Sequence, residues 1–200
     1  MSSSLFQSES LSLAEASADA GFSLVINWME RFLAAPHADL GRGGDVCPFI
    51  RRALSKDTIE FFRNTSEDET SFEEEIKRHL VDFTNGDRSD ILRARIILPT
   101  GLKNADLVVD TVQRRLKSLF VEKHLMIGQF FESCNEPGLW NDSFRPLQTP
   151  VPLLAIRSMT PTDVAFLHYD PDFLESYLDK FGDRGITALE YFKLTKEARN

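Results

Sequence analysis

The sequence predicts a single layered domain of α/β or α+β class. The expected core is a sheet of about four mostly parallel strands flanked by helices, and the C-terminus is helical. Three observations lead there. First, 42% of the 200 residues are hydrophobic and 16 are Phe, which is enough apolar side chain to fill one core and too much for a disordered chain. Second, 2 Cys and 10 Gly without a visible period exclude disulfide scaffolds and repeat arrays. Third, short β-type runs alternate with amphipathic helices, the pattern of strands joined by right-handed crossovers.

The elements follow in order. Residues 1–20 are Ser-rich and acidic. They read as a mobile arm, helical near residues 11–18, ahead of a domain over 21–200. Residues 21–35 form a helix, because Phe22, Val25, Ile26, Met29, Phe32 and Leu33 share one stripe. Pro36 stops it, and a glycine-rich loop follows (PHADLGRGGDV). A short helix is expected from Pro48, since proline suits a first helical position. That would place Cys47 at or beside the N-cap.

Residues 58–62 read as a strand. Residues 71–83 read as a helix with a capping box of Ser71 and Glu74, ended by Asn85, Gly86 and Asp87. In the strand 91–98, Leu92, Ala94, Ile96 and Leu98 share one face; Arg93 and Arg95 share the other and read as a surface pair. Residues 104–121 form a helix, 125–131 a strand and 151–157 a further strand. Pro150 and Pro152 mark the last one as irregular at its start or as an edge. Three helices close the chain. Thr160-Pro161, Asp170-Pro171 and a capping box of Thr187 and Glu190 mark their starts.

Charge narrows the function. The formal net charge is -8, and no basic cluster is interleaved with aromatics, so nucleic acid is not an expected partner. No apolar run approaches the roughly 20 residues of a spanning helix, so no membrane is expected. The N-terminal residues lack the basic region of a signal peptide, and a cytoplasmic location with reduced thiols is the expectation.

The densest chemistry lies around Cys47. His37, Arg42, three glycines and the thiol sit immediately before the expected helix start. Amide dipoles and arginines of that kind lower a thiol pKa and favour anions. The functional readings are a nucleophile, a thiolate ligand to a metal or haem, or an anion cradle. The bland reading is a structural cysteine packed on Phe49. The glycines fit neither the P-loop nor the dinucleotide fingerprint, and no zinc set is visible.

Among the other histidines, His79 lies on an apolar helix face and reads as a core residue. His124 follows a helix and could cap it. His168 sits among Phe166, Leu167 and Tyr169, where a haem or substrate could rest. Glu132 and Glu136 flank Cys134 and read as solvated charge.

Three segments carry a family resemblance: PHADLGRGGDVCPFIRRAL, VQRRLKSLFVEKHLMIGQF and GLWNDSFRPLQTPVPLLAIRSMTPTDVAFL. Together they resemble a bacterial domain-of-unknown-function family, number six-eight-seven-five, from about His37 to Leu167. That resemblance implies an accessory enzyme of specialised-metabolite biosynthesis. It also implies a histidine after Ile-Gly-Gln-Phe, where this chain has Phe131. Cys47-Pro48-Phe49 is more distantly similar to the YqcI/YcgG-type haem-dependent hydroxylases, and that likeness alone introduces haem.

The leading expectation is therefore a small haem-dependent oxygenase or N-hydroxylase acting on a small molecule. Cys47, His37, His124 or His168 would hold the iron, and Arg42 would hold a carboxylate or propionate. The alternatives are a metal-free thiol enzyme using Cys47 and a non-enzymatic protein that binds a pathway partner or a second copy of itself. In the last case Trp140 and Phe144 would be anchors.

Overall fold

The computed structural model describes residues 7–86 and 90–199. Asp87, expected to help end a helix, lies outside the described residues, as do residues 1–6 of the expected arm. The rest of that arm is built into the sheet. Strand β1 (Ser8–Leu11) pairs antiparallel with β2 (Ile59–Asn64), with Ser8 opposite Asn64 and Leu11 opposite Phe61. Helix α1 (Leu13–Ala18) follows, where Ser12 and Glu15 cap each other reciprocally.

Asp19 accepts from the amides of Gly21 and Phe22 and starts α2 (Ala20–Trp28). The helix continues through a π-helical turn (Met29–Leu33) in which Ala34 N–H reaches back to Met29 O. The expected apolar stripe faces inward, with Phe22, Val25 and Met29 fully buried. The next helix, α3 (Ile50–Ser55), is short, as expected, and starts two residues later than Pro48.

Helix α4 (Glu69–Asn85) and helix α5 (Ala105–Glu122) lie after β2 and after β3 (Ala94–Pro99). The cap of α4 is Asp68, which accepts from Ser71 N–H. Ser71 therefore lies inside the helix instead of capping it. Two further strands, β4 (Leu125–Phe130) and β5 (Leu153–Ser158), complete the sheet.

The sheet order is β1-β2-β3-β5-β4. Only β2–β3 is a parallel pair; β1–β2, β3–β5 and β5–β4 are antiparallel. The expected "mostly parallel" pairing is thus corrected, and the cause is specific. The strands linked by α4 and α5, namely β2, β3 and β4, do run in one direction. β5 inserts between β3 and β4 in the opposite direction, so the crossover through α5 does not end on a paired neighbour. β5 is also no edge strand. Both prolines precede its first residue, Leu153, and so remove no ladder hydrogen bond.

The strands alternate between two cores, as their two-residue period requires. Phe61, Ala94, Ile96, Leu98 and Leu153 pack with α2, the π-helical turn and α3. Phe62, Ile97, Ile127, Leu154 and Ile156 pack with α4 and α5. A third cluster gathers Met159, Val164, Leu167, Tyr177 and Phe192 around the C-terminal helices. These are a 3₁₀ turn (Pro161–Phe166), α6 (Pro171–Phe181) and α7 (Asp183–Glu197). The expected box of Thr187 and Glu190 is not a cap: α7 begins at Asp183, and Thr187 donates to Asp183 O within the helix.

Arg95 is not a surface residue. It is 2% exposed, donates to Glu60 at 2.7 Å and Asp82 at 2.5 Å, and lies over the rings of Phe62 and Phe83. Its neighbour His79 is fully buried, as expected, and Nε2 meets Ser8 Oγ at 2.9 Å. Burial, with the Arg95 charge, pushes His79 down to about 3, so the imidazole is neutral. Among the described residues, no helix is long and apolar enough to cross a membrane.

Candidate active site

The glycine-rich loop closes on the end of the first helix. Val46 N–H donates to Ala35 O and Cys47 N–H to Leu33 O, both at 2.9 Å, and Pro36 bridges Asp45. Arg51 of α3 fastens this closure. It grips both carboxylate oxygens of Asp45, at 2.7 and 2.8 Å, and donates to Ala34 O. The Arg51 hydrogen bond holds the Asp45 carboxyl below the usual carboxylate range.

Cys47 is half-buried and packs against the core under α2 and α3. Its carbonyl accepts from Ile50 N–H at 3.3 Å, so Cys47-Pro48-Phe49 forms a turn ahead of α3. The helix is capped at Phe49, which offers no acceptor. Cys47 is therefore not the N-cap.

Beside this turn lies Arg157, which sequence reasoning did not single out. Arg157 sits near the end of β5 and grips Asp163 with two parallel bonds of 2.6 and 2.7 Å. Its guanidinium carbon lies 5.6 Å from the centre of the Phe49 ring. Burial works against the Arg157 charge, but Asp163 overrides it and raises the pKa, and Cys47 contributes in the same direction. The guanidinium is thus held against the Cys47-Pro48-Phe49 turn.

Asp163 is 2% exposed. Burial pushes its carboxyl up. The charge and bonds of Arg157, with those from Thr160, outweigh this and hold it below the ordinary range. Tyr177, packed nearby, donates to Pro161 O at 2.8 Å and steadies the same turn. Burial, then the Asp163 charge, pushes its hydroxyl up to about 12. The visible signal for this cluster was modest: an arginine at a strand end, followed by a Thr-Pro-Thr-Asp turn.

The other expected residues are placed less favourably. Arg42 folds onto its own loop, donating to Gly43 O and Val46 O at 2.8 and 3.1 Å. Gly41 has φ of +74°, and a Cβ there would come within 2.8 Å of Trp140. Gly41 thus serves a tight approach to the loop carrying Trp140. Asn141 donates to Asp39 O across the same contact at 2.8 Å. His37 Nδ1 accepts from Asp39 N–H, and its ring lies 4.8 Å from Phe144 and 5.7 Å from Phe32.

His124 has φ of +60°, and its Nε2 lies 3.1 Å from Asp179. It closes α5 instead of opening a site. His168 directs Nδ1 to Val164 O at 3.2 Å and packs against Phe192 at 4.9 Å. Cys134 is buried, and burial pushes its thiol up. Glu136 is not free charge but pairs with Arg114 at 2.9 Å. Among the described residues no three His, Cys, Asp or Glu side chains are grouped to hold a metal ion.

The surface clefts among the described residues include two of note. One, of about 600 Å³, is lined by Phe62, Lys77, Arg78 and Asp82. The other, of about 360 Å³, is lined by Asp110, Arg114, Phe131 and Cys134. Phe131, which stands where the resemblance implies a histidine, is part of that second wall. Neither cleft is lined by Cys47 or by the histidines considered above.

Residues 22–191 match a family described as a domain of unknown function, DUF6875. The chain belongs to that family. The matched DUF6875 segment contains Cys47, Arg157, Asp163 and His168, and leaves out β1 and Phe192. No curated protein and no solved structure matches the chain.

The residues do not fit a haem. A haem needs an open apolar slot beside its axial ligand. His37 and His168 have rings packed against aromatic neighbours, His124 is bound to Asp179, and the half-buried Cys47 lines neither cleft.

Proposed function

We propose that the chain is a metal-free thiol enzyme acting on a small molecule, with Cys47 as nucleophile. The resemblance to accessory enzymes of specialised metabolism supports the substrate class. The observation that carries the reading is the Arg157–Asp163 pair held against the Cys47-Pro48-Phe49 turn. A thiolate is the attacking form of cysteine, and a fixed cation beside it favours that form. Asp163 keeps the guanidinium in one orientation, as a bidentate partner does. Arg157 would also stabilise negative charge that develops on a bound substrate.

The test is competitive labelling of the native protein with iodoacetamide, followed by peptide mapping. The expected result is modification of Cys47 well ahead of Cys134. Labelling of Cys134 first, or of neither thiol before unfolding, would remove the proposal.

A further inference from the structure

We infer that α7 is a detachable strap that closes over Trp140, His168 and the glycine-rich loop. Four observations support this. The helix has 15 residues, of which Gly185 and Phe192 are buried and Ala188 and Leu189 pack partly buried against the C-terminal cluster. Ile186, Tyr191 and Leu194 are 47%, 73% and 65% exposed, so a large part of its apolar surface does not hold it down. Its junction with α6 is Gly182, at φ of +52° with nothing within 4 Å of a Cβ position. Glycine is needed there for backbone conformation and not for packing, which is what a hinge requires.

The remaining two observations concern what α7 touches. Phe192 is its plug: the ring lies 5.7 Å from Trp140 and 4.9 Å from His168. Beyond the helix, Arg199 donates to Gly41 O and lies 4.6 Å over the Trp140 ring. One short segment thus contacts the loop that leads to Cys47 and the aromatic pair beside it. Elements with few buried contacts open at lower free energy than the core. Lifting α7 would uncover Trp140 and His168 and release Gly41, while both faces of the sheet stay covered.

The strap assists the site under Proposed function, but its test does not use the thiol. Hydrogen exchange of the full chain is measured by NMR. The expected result is that amides of α7 exchange together and faster than those of β3 and β5. Arg199→Ala and Phe192→Ala should each accelerate α7 and residues 41–45 by a factor of about three or more, with β3 and β5 unchanged. In a Trp28→Phe background, acrylamide quenching of Trp140 should rise in parallel. Exchange of α7 only through global unfolding would overturn the inference. So would acceleration spread equally over β3 and β5, because Phe192 would then be ordinary core.

Discussion

Two arginines, the buried Arg95 and the partly exposed Arg157, lie on opposite faces of the sheet and make an instructive pair. Arg95 lies under α4 and is saturated: Glu60, Asp82, the His79 carbonyl and two phenylalanine rings account for its donors and faces. No nucleophile is in that group, and His79 is neutral and bonded to Ser8. Arg157 grips Asp163, donates to Ser158 O at 3.0 Å, and lies over the Phe49 ring in the turn that also carries the half-buried Cys47. A closed polar network fixes a structure. A cation next to an uncommitted reactive atom can also do chemistry.

The largest expected effect is at Asp163. Asp163→Ala leaves Arg157 without its buried partner, which costs about 3–5 kcal/mol for pairs of this kind. Urea unfolding measures it, and a loss below about 1 kcal/mol would place the pair among weak surface bridges.

The Arg95 side gives the next effect, and it depends on pH. His79 titrates at about 3 in the folded state and near 6.5 unfolded. Between those values only the unfolded chain takes up the proton. Stability is therefore full above about pH 6.5 and falls by about 1.4 kcal/mol per unit as pH drops toward 3. His79→Gln should flatten this limb in thermal unfolding at pH 4 to 7. An unchanged slope would assign acid sensitivity to the carboxylates instead. Asp163, with its lowered pKa, loses its contribution only as pH falls below the ordinary carboxylate range.

A smaller effect sharpens the contrast. Thr160→Val removes one bond to Asp163 and should cost about 1 kcal/mol. It should also slow Cys47 labelling slightly by loosening Arg157, whereas loss of the Ser8 hydroxyl on the other face should not. Equal effects of Thr160→Val and Ser8→Ala on labelling would erase the distinction between the two regions.

Much of this was legible in the chain, for physical reasons. Helical stripes are local, so α2, α4 and α5 follow from side-chain spacing alone. The sheet order does not, because the place of β5 between β3 and β4 depends on pairing between distant segments. The run Ser8-Glu9-Ser10-Leu11 carries little β signal, and its anchor is the polar contact of Ser8 with His79 and Asn64. At the site, Cys47 stood out because thiols are scarce. Arg157 did not, because its importance comes from being brought across the fold to a turn more than a hundred residues away. Arg42 looked better in sequence than in space, where its donors reach its own loop.

The central claim is that Arg157 sets the reactivity of Cys47. It is tested by the rate of iodoacetamide alkylation at pH 7 in a Cys134→Ser background. Arg157→Gln should slow the reaction about 3–10-fold, the scale of one charge at partly buried range. Arg157→Met with Asp163→Leu removes both charges and preserves packing, and should slow it similarly. Unchanged rates in both folded variants, or a Cys47 that does not react in the parent, would contradict the account.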